Sequence, residues 1–281
     1  MLLRVGMAVK MAKDSIYMKN SFETIMFDGS QDIGILTINR PAKLNALNIC
    51  VLRELKICLT EIHSTRLNGL IVVGEGEKAF IAGADISEMK SMTNGEAEAF
   101  SELGQQVSLL FESLPFPCIA AVNGFALGGG FEMAMSCDFI LSSVNAVFGL
   151  PEVKLGLVPG FGGTQRLSRI VGERRAKELM FSGRNVSSEE AKRLGITLEV
   201  YPSKSELLEA CYNWFKVSLQ NSPHAIARAK YALRLGMEEN IKGGLALEKN
   251  EFGNIFQTPE MIEGTSAFLE KRRANFKGSN I

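Results

Sequence analysis

The spacing of apolar residues changes period several times along the chain. Residues 22–27 and 33–38 are rich in β-formers, and Asp28-Gly29-Ser30-Gln31-Asp32 between them reads as the turn of a hairpin. From 46 to 62 the period becomes helical, with Leu47, Leu52, Leu55, Leu59 and Ile62 on one face, and Leu70-Ile71-Val72-Val73 follows as a buried strand ending at Gly74. The pattern then predicts a helix over 96–113, a strand over 118–122, a Gly-rich turn, a helix over 129–136 and a strand over 139–143. Strands alternating with helices imply crossover units and a parallel sheet. From Thr164 onward helical spacing dominates, with candidates over 173–181, 188–194, 205–219, 223–235 and 243–256. The expected organisation is a tail over 1–20, an α/β core over 21–200 and a helical region over 201–281, packed on the core or on a neighbouring subunit.

Composition narrows the function classes. Apolar residues at 46% and charged ones at 22% of 281 positions describe a globular chain with room for one large domain or one with a small appendage. Lysines and arginines number 31 against 31 acids, so no excess positive field draws the chain to nucleic acid or an anionic bilayer. Only His63 and His224 occur, outside any HExxH pattern, which argues against a histidine-built metal site. The five cysteines (Cys50, Cys58, Cys118, Cys137, Cys211) form no CxxC and sit mostly among apolar neighbours, as buried free thiols in a reducing compartment would. The expected compartment is the cytoplasm. The uncharged run 113–131 approaches membrane-span length, yet Pro115, Pro117, Asn123 and four glycines make it a strand, turn and helix start instead. Residues 1–20 read as a disordered tail, the alternatives being an organelle-targeting peptide, which would make the mitochondrial matrix the compartment, or an over-extended start.

The candidate chemistry lies in loops that follow buried strands. GxSxG, GxxxxGK[ST] and GxGxxG are all missing among 27 glycines, which removes the main support for hydrolase, P-loop and dinucleotide-binding readings. Gly128-Gly129-Gly130 sits between a strand and a helix, where unpaired helix-start amides can hold an oxyanion, although tight turn packing needs the same glycines. Ala79-Phe80-Ile81-Ala82-Gly83-Ala84-Asp85 offers a second set of backbone amides. Glu132 and Glu152 stand in apolar settings that raise a carboxyl pKa and suit proton transfer. Taken singly, Glu132 reads sooner as a helix N-terminal acid and Glu152 as a solvated loop acid than as catalytic groups.

Four segments together say more. Ile38-Asn39-Arg40-Pro41 with Asn45-Ala46-Leu47, then Ala82-Gly83-Ala84-Asp85-Ile86, then Asn123 through Glu132, then Pro151 through Leu167 resemble, in order, the crotonase (enoyl-CoA hydratase/isomerase) superfamily. The resemblance runs from about Phe22 to Phe276.

That resemblance implies an α/β fold of the crotonase type, a spiral of ββα units with a helical C-terminal trimerisation region, assembled as a homotrimer or homohexamer. It implies an acyl-CoA thioester substrate and neither cofactor nor metal, while the balanced charge and the interrupted apolar run already lead us to expect no nucleic-acid or membrane partner. Position by position, the amides of Ala84 and Gly129 match the oxyanion hole. Ala42, Lys43, Leu44, Ala82, Asp85 and Ile86 match the surface lining CoA, and Phe252, Phe268 and Lys271 match C-terminal positions that cover it. The presence of both glutamates implies a hydratase of 2-enoyl-CoA in fatty-acid or related acyl degradation, with Glu132 as the base on water and Glu152 as the acid at C2. The alternatives are a Δ3-Δ2-enoyl-CoA isomerase or another crotonase-type chemistry, and a non-catalytic CoA-binding or RNA-associated scaffold, which neutral charge and two intact glutamates disfavour. Ser87, in place of a common lysine, puts affinity at the nucleotide end in question. Phe131, in place of a small residue, does the same for the shape of the acyl pocket.

Overall fold

In a computed structural model of the chain, residues 22–276 are described. The larger of two sheets has the order β1 (Ile25–Asp28), β2 (Ile33–Ile38), β3 (Gly69–Gly74), β5 (Cys118–Val122), β7 (Phe139–Ser143), β10 (Glu199–Tyr201). Only β1–β2, the expected hairpin, is antiparallel; the other four pairings are parallel. A smaller sheet runs β4 (Ala79–Ile81), β6 (Phe125–Leu127), β8 (Val147–Gly149), β9 (Val186–Ser187), parallel except at β8–β9. The single parallel sheet expected from the sequence is thus two sheets, because the Gly-rich turn and the loop at 79–85 each contain a three-residue strand.

The two sheets are linked by repetition. The chain passes from β3 to β4 and then through α2 (Ile86–Met89) and α3 (Asn94–Ser113), from β5 to β6 and α4 (Gly129–Ser136), and from β7 to β8 and α5 (Gly163–Val171). Each pass is a ββα unit, and the passes wind a spiral. The run at 113–131 is β5, β6 and the start of α4. No helix among the described residues is long and apolar enough to cross a membrane.

Burial explains the layering. All six residues of β3 are buried, as a strand covered on both faces requires, and alternate side chains point to opposite layers. Leu70 and Val72 join the main core with Leu52, Leu55 and Leu59 of α1 (Ile49–Ile62), whereas Ile71 and Val73 meet Leu207, Cys211 and Phe215. After α6 (Glu173–Ser182) and α7 (Ser188–Arg193), α8 (Lys204–Ser218) supplies those last three residues, so the first helix beyond residue 200 is a layer of the core. By contrast α9 (Pro223–Gly236) and α10 (Ile241–Ile255) bury no residue, and α11 (Pro259–Leu269) buries only Glu260 and Ala267. The five cysteines are free and all but Cys50 are buried. The tail expected over residues 1–20 lies outside the described residues.

Candidate active site

Two loops are zipped together to form one wall of the site. Between β2 and α1, Pro41–Lys43 makes a 3-10 turn, and Leu44 and Asn45 both take left-handed backbone conformations, which side chains other than Asn and Gly resist. Asn45, fully buried, donates from Nδ2 to the carbonyls of Glu75 (3.0 Å) and Ala79 (2.9 Å), and its Oδ1 accepts from the amide of Arg40 (3.0 Å). Three backbone bonds then join this loop to the one after β4. The Ala82 amide donates to Leu44, Leu47 to Gly83 and Asp85 to Leu47, at 3.0, 2.8 and 2.7 Å. An Arg40–Asp85 ion pair at 3.1 Å closes the outer end.

This zipper uses the amides of Ala82 and Asp85 and leaves that of Ala84 unused. Among the described residues neither Ala84 N–H nor Gly129 N–H has a hydrogen-bond acceptor. The glycines permit the approach of the two backbones. A Cβ on Gly130 would fall 2.0 Å from the carbonyl oxygen of Ile81, so α4 starts directly against β4 only because that atom is missing. Gly128, at φ +48° and ψ −126°, lies between Gly83 and Glu152; a Cβ there would meet Glu152 Oε1 at 2.9 Å and Gly83 Cα at 3.8 Å. Both loops and Glu152 therefore converge on Gly128.

The two glutamates occupy different surroundings. Glu132, on α4 and 1% exposed, accepts from the amides of Phe161 (2.8 Å) and Gly163 (2.6 Å) at Oε1. Burial pushes its carboxyl above the usual range, opposed by these two amides and by the charge of Arg166. Glu152 follows β8 in the 3-10 turn Glu152–Leu155, and its Oε2 is buried without a partner. Burial first, and then the charge of Glu132, push it up to about 7. Glu132 does stand in the first turn of α4, where the helix end favours its charge, whereas the buried Oε2 of Glu152 does not fit a solvated loop acid.

The remaining expected residues divide in two. Ala42, Lys43 and Leu44 are exposed on the zipped loop, beside Ala82, Asp85 and Ile86. Phe252 and Phe268 are 65% and 82% exposed on α10 and α11, with Lys271 just beyond, and no hydrogen bond or ion pair among the described residues ties these three to the loops. Ser87 donates to Asp85 Oδ1 at 2.6 Å, so it steadies the acid that pairs with Arg40. Phe131 is 1% exposed with its ring 5.4 Å from that of Phe148, which makes it a core side chain in this protein. The sequence reading assigned no role to Asn45, to the amides of Phe161 and Gly163 or to Arg166. A buried asparagine in a turn is the one local signal among them.

A groove of about 1110 Å³ runs between the core and α8–α9, lined by Leu109, Met135, Phe139, Trp214 and Leu233, and neither glutamate lines it. Among the described residues no three His, Cys, Asp or Glu side chains cluster to hold a metal ion.

Known proteins share this architecture. The enoyl-CoA hydratase/isomerase family model matches residues 28–279. The chain is 45% identical over 250 residues to the short-chain-enoyl-CoA hydratase of Clostridium acetobutylicum, covering 89% of this chain and 95% of that one. It is 43% identical over 257 residues to the crotonyl-CoA hydratase of Syntrophomonas wolfei, covering 91% and 98%. The crystal structure of an enoyl-CoA hydratase from Bacillus anthracis matches with a TM-score of 0.87 at 37% identity, covering 92% of this chain and all of the other. With both loops, both glutamates and the ββα spiral in place, the chain belongs to the enoyl-CoA hydratase/isomerase family.

Proposed function

We infer that this protein is an enoyl-CoA hydratase, a hydro-lyase that adds water across the 2,3 double bond of an enoyl-CoA thioester to give the 3-hydroxyacyl-CoA. The observation that carries the reading is a pair of electrostatically interacting carboxyl groups in unlike environments, Glu132 buried and held by two amides and Glu152 set against the glycine turn with its Oε2 buried and unpartnered. The names of the relatives support it.

The chemistry follows from those environments. The thioester oxygen takes the amides of Ala84 and Gly129, and each fixed donor stabilises developing negative charge by about 3 kcal/mol. Glu132, whose carboxylate is held by two amides and faces a guanidinium, takes a proton from water as the water oxygen bonds to C3. The C2=C3 electron pair moves onto the thioester oxygen as an enolate. Glu152, which keeps its proton up to about pH 7, gives it to C2, and the enolate collapses to the product. Over the cycle water supplies both the hydroxyl group on C3 and the hydrogen on C2, and no oxidant, reductant or cofactor enters the balance. Afterwards Glu132 carries a proton and Glu152 lacks one, and exchange with solvent resets the pair.

The CoA moiety is assigned to the exposed Ala42–Leu44 segment with the half-buried Ala82 and Asp85 and the exposed Ile86, completed by Phe252, Phe268 and Lys271. The exposure of those last three supports an assembly of three or six chains in which a neighbour's C-terminal helices help to cover the site. The compartment is assigned as the cytoplasm, in keeping with five free cysteines.

The test is a hydration assay across an acyl-chain series starting with crotonyl-CoA, run beside the 3-enoyl isomers. Turnover of the 2-enoyl thioesters to 3-hydroxyacyl products is expected; faster use of 3-enoyl-CoA with no hydroxyacyl product would assign an isomerase instead.

A further inference from the structure

The carboxylate of Glu132 is held by a loop, and that loop is held by something the chemistry above does not use. The polar side chains Ser101, Gln105, Ser108 and Glu112 recur on α3 at spacings of four, three and four residues, which places them in one line along the helix. All four reach the segment 160–166. Ser101 Oγ and Gln105 Nε2 donate to the carbonyl of Gly160 at 2.6 and 3.0 Å. Further along the helix, Arg166 Nη2 donates to Ser108 Oγ at 3.0 Å, and Nε to Glu112 Oε1 at 2.6 Å. The third guanidinium nitrogen, Nη1, donates to the carbonyl of Phe161 at 2.9 Å, and the amide of that same residue donates to Glu132 Oε1. The Phe161 ring is seated over Gly104, where a Cβ would fall 2.2 Å from it, and meets Phe100 edge to face at 5.3 Å.

We propose that Arg166, gripped by this polar line on α3, is a positioning residue that fixes the Glu132 carboxylate through the Phe161 and Gly163 amides. A guanidinium suits the task because its planar fork satisfies three acceptors at once in a fixed geometry, which an ammonium does not. Being only 14% exposed, its side chain acts with little screening from solvent. The charged groups around Glu132 are Arg166 from α5, with Glu112 of α3 behind it, and Glu152 from the turn after β8. Arg166 favours the ionised form and Glu152 opposes it. Arg166 thus sets both where the carboxylate points and the pH at which it loses its proton.

The inference rests on Glu132 being the base, so its test reads ionisation as well as activity. Arg166→Gln removes the charge and the fork. We expect it to lower kcat for crotonyl-CoA hydration about 10- to 100-fold, the effect of a misplaced catalytic group, with KM changed less than about threefold. The acidic limb of the pH profile is expected to move up by about one unit, since the opposite charge that favoured ionisation is gone. Arg166→Lys restores the charge without the fork and is expected to return the limb toward the parental pH while kcat stays low. A merely structural role would lower stability and leave the limb in place.

The pKa of Glu132 is also read without substrate, by carboxyl NMR of the glutamate-labelled protein, with the resonance assigned through Glu132→Gln. If no enoyl-CoA is turned over by the parent, yet this pKa rises in Arg166→Gln, the hydratase reading fails and the positioning role stands. If Arg166→Gln does not fold, Ser101→Ala combined with Gln105→Ala loosens the same loop at Gly160, and an expected loss in kcat of about 3- to 10-fold tests the α3 grip. Parental kcat and parental Glu132 ionisation in a folded Arg166→Gln, or parental kcat in the α3 double variant, would overturn the proposal.

Discussion

The carboxylate of Glu152 lies against Gly128, so close that a Cβ on the glycine would stand 2.9 Å from Oε1. The relationship ties a backbone conformation to the carboxyl proposed as the proton donor. Gly128→Ala would place its methyl group there and force an L-residue into φ +48°, ψ −126°, a strain of about 1–3 kcal/mol. The expected variant is folded, less stable to urea by about that amount and at least about tenfold slower in hydration, because the acid has been pushed from its position. A folded Gly128→Ala with parental kcat would show that the carboxylate is not needed at that place.

Removing each carboxyl tests the division of labour more directly. Glu132→Gln and Glu152→Gln keep shape but neither take nor hold the proton, and each is expected to lower kcat about 10²- to 10⁴-fold with much smaller changes in KM. Steady-state kinetics on crotonyl-CoA measures this. Near-parental turnover in either variant, for every enoyl-CoA tried, removes that glutamate from the mechanism.

The sequence revealed the large elements and concealed the short ones. Helix α1 is legible because Leu52, Leu55, Leu59 and Ile62 recur on a buried face, and β3 because four apolar residues end at Gly74. The smaller sheet is not, since β4, β6 and β8 have three residues each and a register shift interrupts β4, too little for any period to register. Helix α11 escaped for a different reason: its Ile262, Phe268 and Leu269 face outward and mark no buried stripe. At the site, four motifs in order pointed to the family while each glutamate alone stayed ambiguous. The surroundings of Glu132 are set by two donors 29 and 31 residues away, a long-range relation with no local signature.

The raised Glu152 carboxyl predicts two pH effects of definite sign. As an acid it must be protonated, so kcat/KM is expected to fall as pH rises through about 7, with loss on the acid side where Glu132 gains its proton. For stability, a carboxyl with a folded-state pKa above its unfolded value favours folding below the unfolded pKa. That contribution is lost as pH rises through the window from about 4.5 to about 7. Glu152→Gln has no charge to bury. Urea unfolding is therefore expected to find it closer to the parent at pH 4.5 than at pH 8, where it gains relative to the parent. An equal difference at both pH values would place the Glu152 pKa near its ordinary value.

Exposed apolar side chains concentrate on the C-terminal helices. Leu233 and Met237 at 69%, Ile241 at 77%, Phe268 at 82% and Leu269 at 79% are more than a free surface of that size ordinarily shows together. The groove beside α9 adds to this. Sedimentation is expected to give a species of three or six chains at micromolar concentration. A stable, fully active monomer would contradict it, and with it the assignment of Phe252, Phe268 and Lys271 to a neighbour's CoA site.

The last prediction separates hydration from isomerisation by counting protons. Hydration takes both a hydroxyl group and a hydrogen from water, and the hydrogen reaches C2 from Glu152, whose proton exchanges with solvent between turnovers. In D₂O the 3-hydroxyacyl-CoA formed from 2-enoyl-CoA is therefore expected to carry one deuterium at C2, read by mass spectrometry, with the C4 hydrogens unlabelled. An isomerase moves a proton from C2 to C4 through one base, adds no oxygen and is able to return the same proton. Its product would have the mass of the substrate, apart from exchanged hydrogen, and 3-enoyl-CoA would serve at least as well as the 2-enoyl isomer. If 3-enoyl-CoA proves much the better substrate and no hydroxyl group appears in the product, Glu132 is not a base on water, and the amides of Ala84 and Gly129 stabilise a dienolate instead.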